Sequence, residues 1–323
     1  MSLYRALRRR ILTPGVAATR MDVRGFHVKS TAGRDLLETI GASFLTGYAY
    51  AAEARTAAEA EEHLETVPAQ FRGFAYEGAA MGFAVREGLP IGGRGLVADF
   101  LCGRGNDHVY MAYVGVGWAM ARLPRFRWST LYAPDPLLRW LVLDGYGFHQ
   151  AYFKTDKYVY EQYQETGFPW PGGTYGWYAN RVIDQGIGRA MWFVGGADAE
   201  LVASMIGRFP GPRRSDLFAG AGLAATYAGG AHETELRRFW ELGDGYHPQI
   251  AQGSAFAAGA RARAGLIVPH NELATQVFCG MSVLQAQKVT DEALADLNHD
   301  GLLPSWEVWR QRIAHALAAR THS

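Results

Sequence analysis

Four ionisable residues in apolar surroundings are the best candidates for chemistry in this sequence. Each lies in a run of apolar residues and glycines: Glu77 in FAYEGAAMG, Asp144 and His149 in LVLDGYGFH, and Asp184 in VIDQGIGR. A carboxyl group buried in such surroundings has a raised pKa unless it is paired, and a raised pKa suits it to proton transfer. We therefore predict that these four residues supply acid and base groups for catalysis.

The same four residues have two other interpretations. Each acid could pair with a buried arginine, such as Arg72, Arg139 or Arg189, and would then be structural. Together the four could form a carboxylate-rich metal site, but the Glu-x-x-His pair of di-iron helical bundles is absent as an inward motif. The sequence also lacks a Gly-x-Ser-x-Gly elbow, a P-loop and a dinucleotide-binding fingerprint. Whether the protein is an enzyme stays open at this point.

A segment near the C-terminus, DLNHDGLLPSWE, has the pattern of an EF-hand calcium loop. That pattern places acids or Asn at positions 1, 3 and 5, Gly at 6, an apolar residue at 8 and Glu at 12. Pro304 at position 9 offers no side-chain ligand, and the sequence has no second loop to pair with this one. We therefore predict a structural calcium clamp, with a metal-free helix–loop–helix as the alternative. The predicted ligands are Asp296, Asn298, Asp300, the Leu302 carbonyl and Glu307.

Most of the chain has the periodicity of helices. Apolar residues recur every three or four positions in residues 35–55. Further helices are predicted over residues 56–66, 71–86, 108–123, 135–153, 180–194, 197–207, 215–228, 232–242, 249–264, 272–287, 290–297 and 306–319. The best strand candidate is the short segment Asp22–Ser30. Glycine inside a helix costs about 1 kcal/mol relative to alanine, so we expect the frequent helix glycines to permit close helix contact or close approach of a flat ligand.

A faint duplication relates residues 59–83 to residues 200–225. Six matched pairs are each 142 positions apart: Pro68 and Pro210, Arg72 and Arg214, Tyr76 and Phe218, Gly78 and Gly220, Ala79 and Ala221, and Met81 and Leu223. Upstream, Gly41 matches Gly188 at an offset of 147, and downstream, Gly145 matches Gly280 at 135. A drifting offset is typical of two copies of one folding unit with insertions in their loops.

The acids do not follow the duplication. Glu77 is matched by Ala219, and Asp144 is matched by Cys279. An acid that occurs in only one copy is not required by the shared packing, so these two acids are candidates for function.

We predict a mostly α-helical fold of two pseudo-repeated helical halves, repeat-like or bundle-like, with a C-terminal EF-hand-like helix–loop–helix. The basic residues Arg8–Arg10, with Arg5 one turn earlier, are expected to form a solvated helix face. The predicted segments are an N-terminal arm (1–30), a first helical half (31–157), an aromatic linker rich in Pro and Gly (158–179), a second helical half (180–289) and the EF-hand-like segment (290–323).

The composition of the chain limits which partners and which cellular compartment we expect. A net charge of +1 gives no electrostatic case for nucleic acid. The longest uncharged apolar run, 109–121, is too short to span a bilayer, and no signal peptide follows the basic N-terminus. Two cysteines without Cys-x-x-Cys spacing are expected to be buried thiols in a reducing compartment. We therefore expect a soluble cytoplasmic protein.

Five blocks of this sequence, in order, resemble the bacterial domain-of-unknown-function family numbered 1702. The blocks are FRGFAYEGAAMG from Phe71, LDGYGFH from Leu143, DQGIGR from Asp184 with the following Trp192-Phe193, DLFAGAGLA from Asp216, and QGSAFAA from Gln252. The resemblance covers roughly residues 20–295 and leaves out the calcium-loop pattern. Members of this family are associated with enediyne gene clusters, beside an iterative polyketide synthase and its thioesterase. No catalytic residues of the family are carried over.

The resemblance implies an accessory protein of enediyne antibiotic biosynthesis. We expect it to bind a linear, apolar polyketide-derived intermediate in a groove between its helical halves, and to act on it through the four candidate acid and base residues. The alternative is a non-catalytic α-repeat scaffold that holds a polyketide synthase and other biosynthetic proteins together. A third interpretation is a calcium-responsive binding module.

Overall fold

The structure, a computed structural model, describes residues 3–297 and 301–321 of the 323-residue chain. Within these ranges the protein is helical and has no β-strand, which confirms the predicted helical class. The α-helices are α1 (Leu3–Leu12), α2 (Met21–Arg24), α3 (Thr31–Glu53), α4 (Ala57–Leu64), α5 (Ala69–Gly88), α6 (Leu96–Cys102), α7 (Val109–Arg122), α8 (Trp140–Phe153), α9 (Ala179–Val194), α10 (Ala199–Gly207), α11 (Gly211–Ala228), α12 (Glu233–Leu242), α13 (His247–Arg263), α14 (Pro269–Cys279), α15 (Val283–Glu292) and α16 (Ser305–Thr321). Shorter helical turns cover Val16–Thr19, Arg104–Asn106, Arg125–Thr130, Asp156–Tyr160 and Gly176–Tyr178.

The chain divides into two compact units. Unit 1 comprises Met1–Gly25 and Asp35–Tyr146, and unit 2 comprises Phe26–Arg34 and Gly147–Ser323. The unit changes within helices α3 and α8, so each of these helices contributes residues to both. The five segments predicted from the sequence were defined by the sequence repeat and not by contacts between residues. Their boundaries stay a prediction.

Unit 1 is built around α5, which is buried on nearly every side from Gly73 to Arg86. A helix that is apolar or small all round must be enclosed by other helices. Gly78 shows how closely they approach, since a Cβ atom at this position would lie 1.9 Å from the Phe44 carbonyl oxygen of α3. The helix glycines therefore serve close helix contact here, as expected.

Unit 2 has the same kind of packing around α11, which lies against α9 and α13. At Gly220 a Cβ atom would lie 1.9 Å from the carbonyl oxygen of Gln185 in α9. Helix α13 also contacts α14, α15 and α16, so the C-terminal helices pack on the far end of this group. Backbone contact at a glycine again sets the distance between neighbouring helices.

Helix α1 turns two of its four arginines, Arg5 and Arg8, toward the protein, whereas Arg9 and Arg10 are exposed, so the expectation of a solvated basic face is corrected for the first two only. The Arg8 guanidinium donates to the carbonyl oxygens of Ala52, Glu53 and Ala54 at the end of α3. Arg5 Nε donates to the Glu53 carbonyl over 2.8 Å. The last carbonyls of a helix have no partner within it, and they carry the negative end of the helix dipole. Arginines of α1 therefore satisfy the C-terminus of α3.

Three details of the predicted elements are wrong. Asp22–Ser30 is not a strand, because α2 is capped by Gly25 with a φ of +69° and the segment beyond it is irregular, with the His27 N–H donating to the carbonyl of Val194. The helix predicted over 272–287 breaks at Gly280, where φ is +67°. The helix predicted over 290–297 is absent, since α15 ends at Glu292 and turns follow.

Other boundaries shift for local reasons. Helix α8 begins at Trp140 rather than Asp135, because the Asp135 carboxylate accepts from the N–H groups of Leu137 and Leu138 and holds a turn there. Helix α6 is not predicted. Cys102 at its end is exposed, whereas the sequence analysis expects a buried thiol.

The backbone contact at Gly220 predicts a large effect of one methyl group. We expect Gly220→Ala to lower the free energy of unfolding by about 1–3 kcal/mol, because the helices must separate to admit the Cβ atom. Gly207→Ala is the matched control, since a Cβ atom there meets nothing within 4 Å; it should be neutral or stabilise by about 0.5–1 kcal/mol. Denaturant unfolding of both variants checks this, and equal stabilities would contradict the proposed contact.

Candidate functional site

Glu77 and Asp144 both lie in the core of unit 1. Glu77 on α5 is 3% exposed and Asp144 on α8 is 0% exposed. The residue after Asp144 is Gly145, which packs on the Val114 carbonyl of α7, and the Glu77 carbonyl packs on Gly115 one position further along α7. The structure therefore brings the segments of both acids to the same stretch of α7.

His149 and Asp184 lie in unit 2. His149 is buried on α8, and its ring centroid is 4.7 Å from that of Phe153. Gly147 of α8 packs on the Ile183 carbonyl of α9, one residue before Asp184. The four predicted residues thus form two pairs of neighbouring segments, one pair in each unit.

Asp184 is held by an arginine that the sequence analysis does not name. Its two carboxylate oxygens accept from Nε and Nη2 of Arg213, over 2.9 and 2.5 Å. Burial raises the pKa of Asp184 to about 6, although the Arg213 guanidinium opposes the rise. A bidentate buried pair of this kind is a structural interaction in the first instance, so the pairing alternative describes Asp184 well, with Arg213 in place of Arg189.

The calcium-loop pattern lies partly outside the described residues. Asn298 and Asp300 fall in that gap, while the Leu302 side chain is 97% exposed and Asp296 has a φ of +51°. Glu307 is buried at the start of α16. Oε1 accepts from Arg181 and Gln311, and Oε2 accepts from Tyr178 and Arg310.

These contacts bear on calcium. Both Glu307 oxygens already have protein donors, and two guanidinium groups stand close by, whereas a calcium ligand at position 12 offers two oxygens to the cation. Binding would therefore require Glu307 to leave its present partners. The calcium site stays a prediction.

Glu307 belongs to a buried charge cluster that sequence reasoning missed. Its members, all in unit 2, are Tyr178, Arg181, Asp216, Glu307 and Arg310. Asp216 accepts from Arg181 at 2.9 Å and from Arg310 at 2.8 Å, so two carboxylates balance two guanidinium groups. Although burial opposes the change, Arg310 and Arg181 lower the pKa of Glu307. Burial raises the pKa of Tyr178 well above its ordinary value. The sequence does show that Glu307 and Arg310 are three positions apart and can pair on one helix. The other three members of the cluster are distant in sequence.

An apolar cleft of about 310 Å³ lies in unit 1, between α1 and the turn that follows α5. Helix α1 supplies Tyr4, Leu7, Ile11 and Leu12, and the turn supplies Leu89, Pro90, Ile91 and Gly92. Ile11 is 70% exposed and Ile91 is 88% exposed, so the cleft opens to solvent. None of the four predicted acid and base residues lines it.

Arg8 and Arg86 complete the lining of this cleft. Arg86 is buried, its Nη1 donates to the carbonyls of Ala51 and Ala54, and its Nε has no hydrogen-bond partner. Burial, with added repulsion from Arg8, lowers the pKa of Arg86 to about 10. Neither guanidinium forms an ion pair within the described residues, so the cleft combines apolar walls with two cations.

A second cleft of about 340 Å³ lies beside Arg5 and Arg9 of α1 and is lined mostly by residues with ionisable side chains. Its arginines are paired, Arg5 with Glu59 and Arg9 with Glu53. The Tyr50 and His63 rings stack at its edge with centroids 5.0 Å apart. Its charges are balanced internally, which makes it a weaker candidate for an anionic or apolar ligand.

Residues 3–297 and 301–321 contain no group of three or more His, Cys, Asp or Glu side chains placed to hold a metal ion. None of the helices in the same ranges is both long and apolar enough to cross a membrane.

Comparison with known proteins gives one match. A family described as "Protein of unknown function (DUF1702)" matches residues 3–317. The match extends beyond the range 20–295 of the five blocks and takes in α1 and most of α16. No curated protein and no solved structure matches the chain.

Removal of Arg213 should make stability depend on pH. Without its partner, buried Asp184 would have a pKa above 6, compared with an ordinary value of 3.8. A carboxyl group with a raised pKa in the folded state opposes folding when charged, so this penalty is full above the folded pKa and fades as pH falls. We expect Arg213→Met to cost about 3–5 kcal/mol at pH 8 and less at pH 5. In the double variant Asp184→Asn/Arg213→Met the cost should be smaller and independent of pH. A single variant with the same loss at both pH values would contradict this.

Glu307→Gln tests the charge cluster and the calcium site together. We expect a loss of about 3 kcal/mol in the absence of calcium, because the buried Arg310 and the half-buried Arg181 lose a carboxylate. Since the folded pKa of Glu307 is lowered from 4.5, its stabilisation is present above pH 4.5 and lost as pH falls through the folded pKa. The difference between wild type and variant should therefore shrink in acid, and a constant difference would be evidence against the cluster. A melting temperature that calcium raises in wild type, but not in Asp296→Ala, would support the calcium prediction.

Proposed function

We propose that this protein, which belongs to the DUF1702 family, is an accessory protein of enediyne biosynthesis that binds a linear, apolar polyketide-derived chain. The observation that carries the proposal is the apolar cleft of unit 1, between α1 and the Leu89–Gly92 turn. Its volume of about 310 Å³ is at the lower end of the range for small-molecule sites, about 300–1,000 Å³. The proposal places the binding groove within unit 1 rather than between two halves.

The shape of the cleft suits an extended ligand. From Tyr4 to Ile11 its wall follows α1, which rises 1.5 Å per residue and so runs for about 10 Å. The opposite wall is the short apolar turn Leu89–Gly92. A linear polyene can lie along such a groove and bury its length against aliphatic side chains. The association of family members with enediyne gene clusters supplies the class of chain.

We further propose that α3–α5–α7 of unit 1 and α9–α11–α13 of unit 2 are copies of one folding unit. Pro68 and Pro210 precede α5 and α11 with nearly the same backbone angles, φ −51° and ψ 138° against φ −54° and ψ 139°. Four residues later, Arg72 Nε donates to the carbonyl five residues before it, and Arg214 Nε does the same. These are matched positions at the offset of 142.

Ring contacts also support the proposal that the two helix groups are copies of one folding unit. Tyr76 stacks on His108, the residue before α7, with centroids 3.7 Å apart. Phe218, the match of Tyr76, stacks on Tyr246, the residue before α13, at 4.9 Å. Upstream, the contacts favour Gly47 as the match of Gly188, in place of Gly41, because these two glycines pack on the carbonyls of Ala75 and Leu217. Downstream, Gly145 packs inside a helix whereas Gly280 ends one, so that match lacks support.

The duplication favours a chemical role for Glu77. The Glu77 carbonyl packs on Gly115, and the carbonyl of its match Ala219 packs on Gly253 in the same manner. The shared backbone contact therefore needs only alanine at this position. A carboxylate that packing does not require, 3% exposed in a core of alanines and glycines, is suited to proton transfer. The catalytic part of the proposal assigns acid and base roles to Glu77 and Asp144, with His149 as a further candidate and Asp184 as a structural acid.

A non-catalytic scaffold for polyketide synthase partners is the second candidate. The observation that favours it is the outer face of α1, where Leu3 is 87% exposed and does not line the cleft. Such a face can receive another protein. Stable co-purification with a synthase, together with full tolerance of changes at the acids, would favour this candidate.

Co-expression with an enediyne polyketide synthase and its thioesterase tests the binding proposal. We expect the purified protein to carry a chromophore with polyene absorption, and the extracted ligand to have the mass of a linear polyene. Ile11→Ser should lose the chromophore, because it removes exposed apolar area from the cleft without touching the core. Leu302→Ser, at a position in unit 2 that is even more exposed than Ile11, should retain it. A colourless protein with no extractable ligand would count against chain binding.

The catalytic part is tested separately in a producing strain. Glu77→Gln and Asp144→Asn each remove a carboxylate with little change in volume, so we expect product titre to fall at least about 100-fold if the group transfers a proton. Circular dichroism and the melting temperature show whether each variant is folded. Wild-type titres from both folded variants would overturn the catalytic part and leave the binding part standing.

A further inference from the structure

The cationic part of the unit 1 cleft indicates which end of a chain it receives. We propose that Arg8 and Arg86 bind an anionic head group, a carboxylate, of a single-chain amphiphile whose tail lies along α1. This inference rests on the proposed function, because it assigns the head group of the ligand in the same cleft. It adds a recognition site and the chemical class of its ligand.

The charge balance around the two arginines is the first argument. Arg8 and Arg86 bind only carbonyl oxygens, those of Ala51, Ala52, Glu53 and Ala54 at the C-terminus of α3. A helix C-terminus carries roughly half a negative charge. Glu87 also attracts Arg86, but this attraction is weaker than the repulsion between Arg86 and Arg8, so the two full positive charges are balanced only in part. The local excess of positive charge attracts an anion.

The available donor is the second argument. Arg86 is 4% exposed and lines the cleft, yet its Nε–H has no hydrogen-bond partner. A buried polar group without a partner costs about 1–3 kcal/mol. The Nε atom is itself covered, so a carboxylate oxygen would satisfy it after displacing the groups that cover it, and guanidinium and carboxylate groups match each other geometrically.

Arg261 in unit 2 shows that a buried arginine can serve a helix end without any ligand. It is 0% exposed and donates to the Tyr227 carbonyl, and its guanidinium lies over the Tyr227 ring at 4.0 Å. Arg86 differs in lining an open apolar cleft and in standing beside a second guanidinium, that of Arg8. The open cleft, rather than burial alone, is what points to an external anion.

The apolar wall selects an amphiphile rather than a small free anion. Tyr4, Leu7 and Ile11 are all exposed on the cleft side of α1. Arg5 and Arg8 of the same helix face the protein, while these apolar side chains face solvent. A bound chain would cover this apolar surface while its head group binds the arginines. One ligand would therefore remove both the exposed apolar area and the unbalanced positive charge.

The test uses cis-parinaric acid, a linear tetraene carboxylic acid whose fluorescence rises in apolar surroundings, and its methyl ester. Titrated into the full-length wild-type protein, the acid should bind at least about tenfold more tightly than the ester. Arg8→Met should reduce this preference to about twofold or less, and Arg8→Lys should retain part of it. Ile11→Ser should weaken both probes, and Leu302→Ser should change neither.

Each outcome decides between the two proposals. Equal affinity for acid and ester would overturn the head-group inference and leave chain binding intact. No binding of either probe would overturn both. Binding to phosphatidylglycerol vesicles that Ile11→Ser abolishes, without binding of monomeric acid, would replace the inference with a membrane surface. The wild-type comparison of acid and ester does not depend on whether Arg8→Met folds.

Discussion

Contact between helix backbones, permitted by glycine, is the constraint on which both units depend. A Cβ atom at Gly78 or Gly220 would lie 1.9 Å from a carbonyl oxygen of the neighbouring helix, so no other residue fits without separating the helices. Interiors packed to this density have little freedom to adjust. The buried acids Glu77 and Asp144 stand next to such contacts, and their positions are therefore set by the backbone rather than by the rotamers of surrounding side chains.

A second requirement, at the C-terminus of α3, explains the unusual N-terminal helix. The final carbonyls of α3 need donors, and Arg5, Arg8 and Arg86 supply them from outside the helix. Because Arg5 and Arg8 face this end of α3, the side of α1 that carries Leu7 and Ile11 faces solvent. The exposed Leu7 and Ile11 follow from the capping of another helix, and so does the apolar wall of the cleft.

The sequence predicts the local part of this structure and not the long-range part. Apolar periodicity was sufficient for α3, α5, α7 and α9 to α13, since helix formation depends on residues three and four apart. The partner of Asp184 was not predictable, because Arg213 is 29 positions away and several arginines were equally plausible. For the same reason the sequence located Glu307 but not its partner Tyr178. It also did not reveal that Arg5 and Arg8 of α1 donate to the end of α3. Helix breaks at single glycines, such as Gly280, depend on a φ value that composition does not give.

Arginines of the two units differ in the partners that they bind. In unit 2, Arg181, Arg213 and Arg310 each pair with a carboxylate of the same unit, and Arg261, which donates to a carbonyl, is 0% exposed. In unit 1, Arg8 and Arg86 meet only carbonyl dipoles beside an open apolar cleft. A single acidic residue in α1 or in the Leu89–Gly92 turn could have formed an ion pair with these arginines. The lining of the cleft contains no acidic residue. Recognition of an anionic chain requires uncompensated cations at an apolar opening. A cap that served only the C-terminus of α3 would be equally stable if an acidic residue neutralised the arginines.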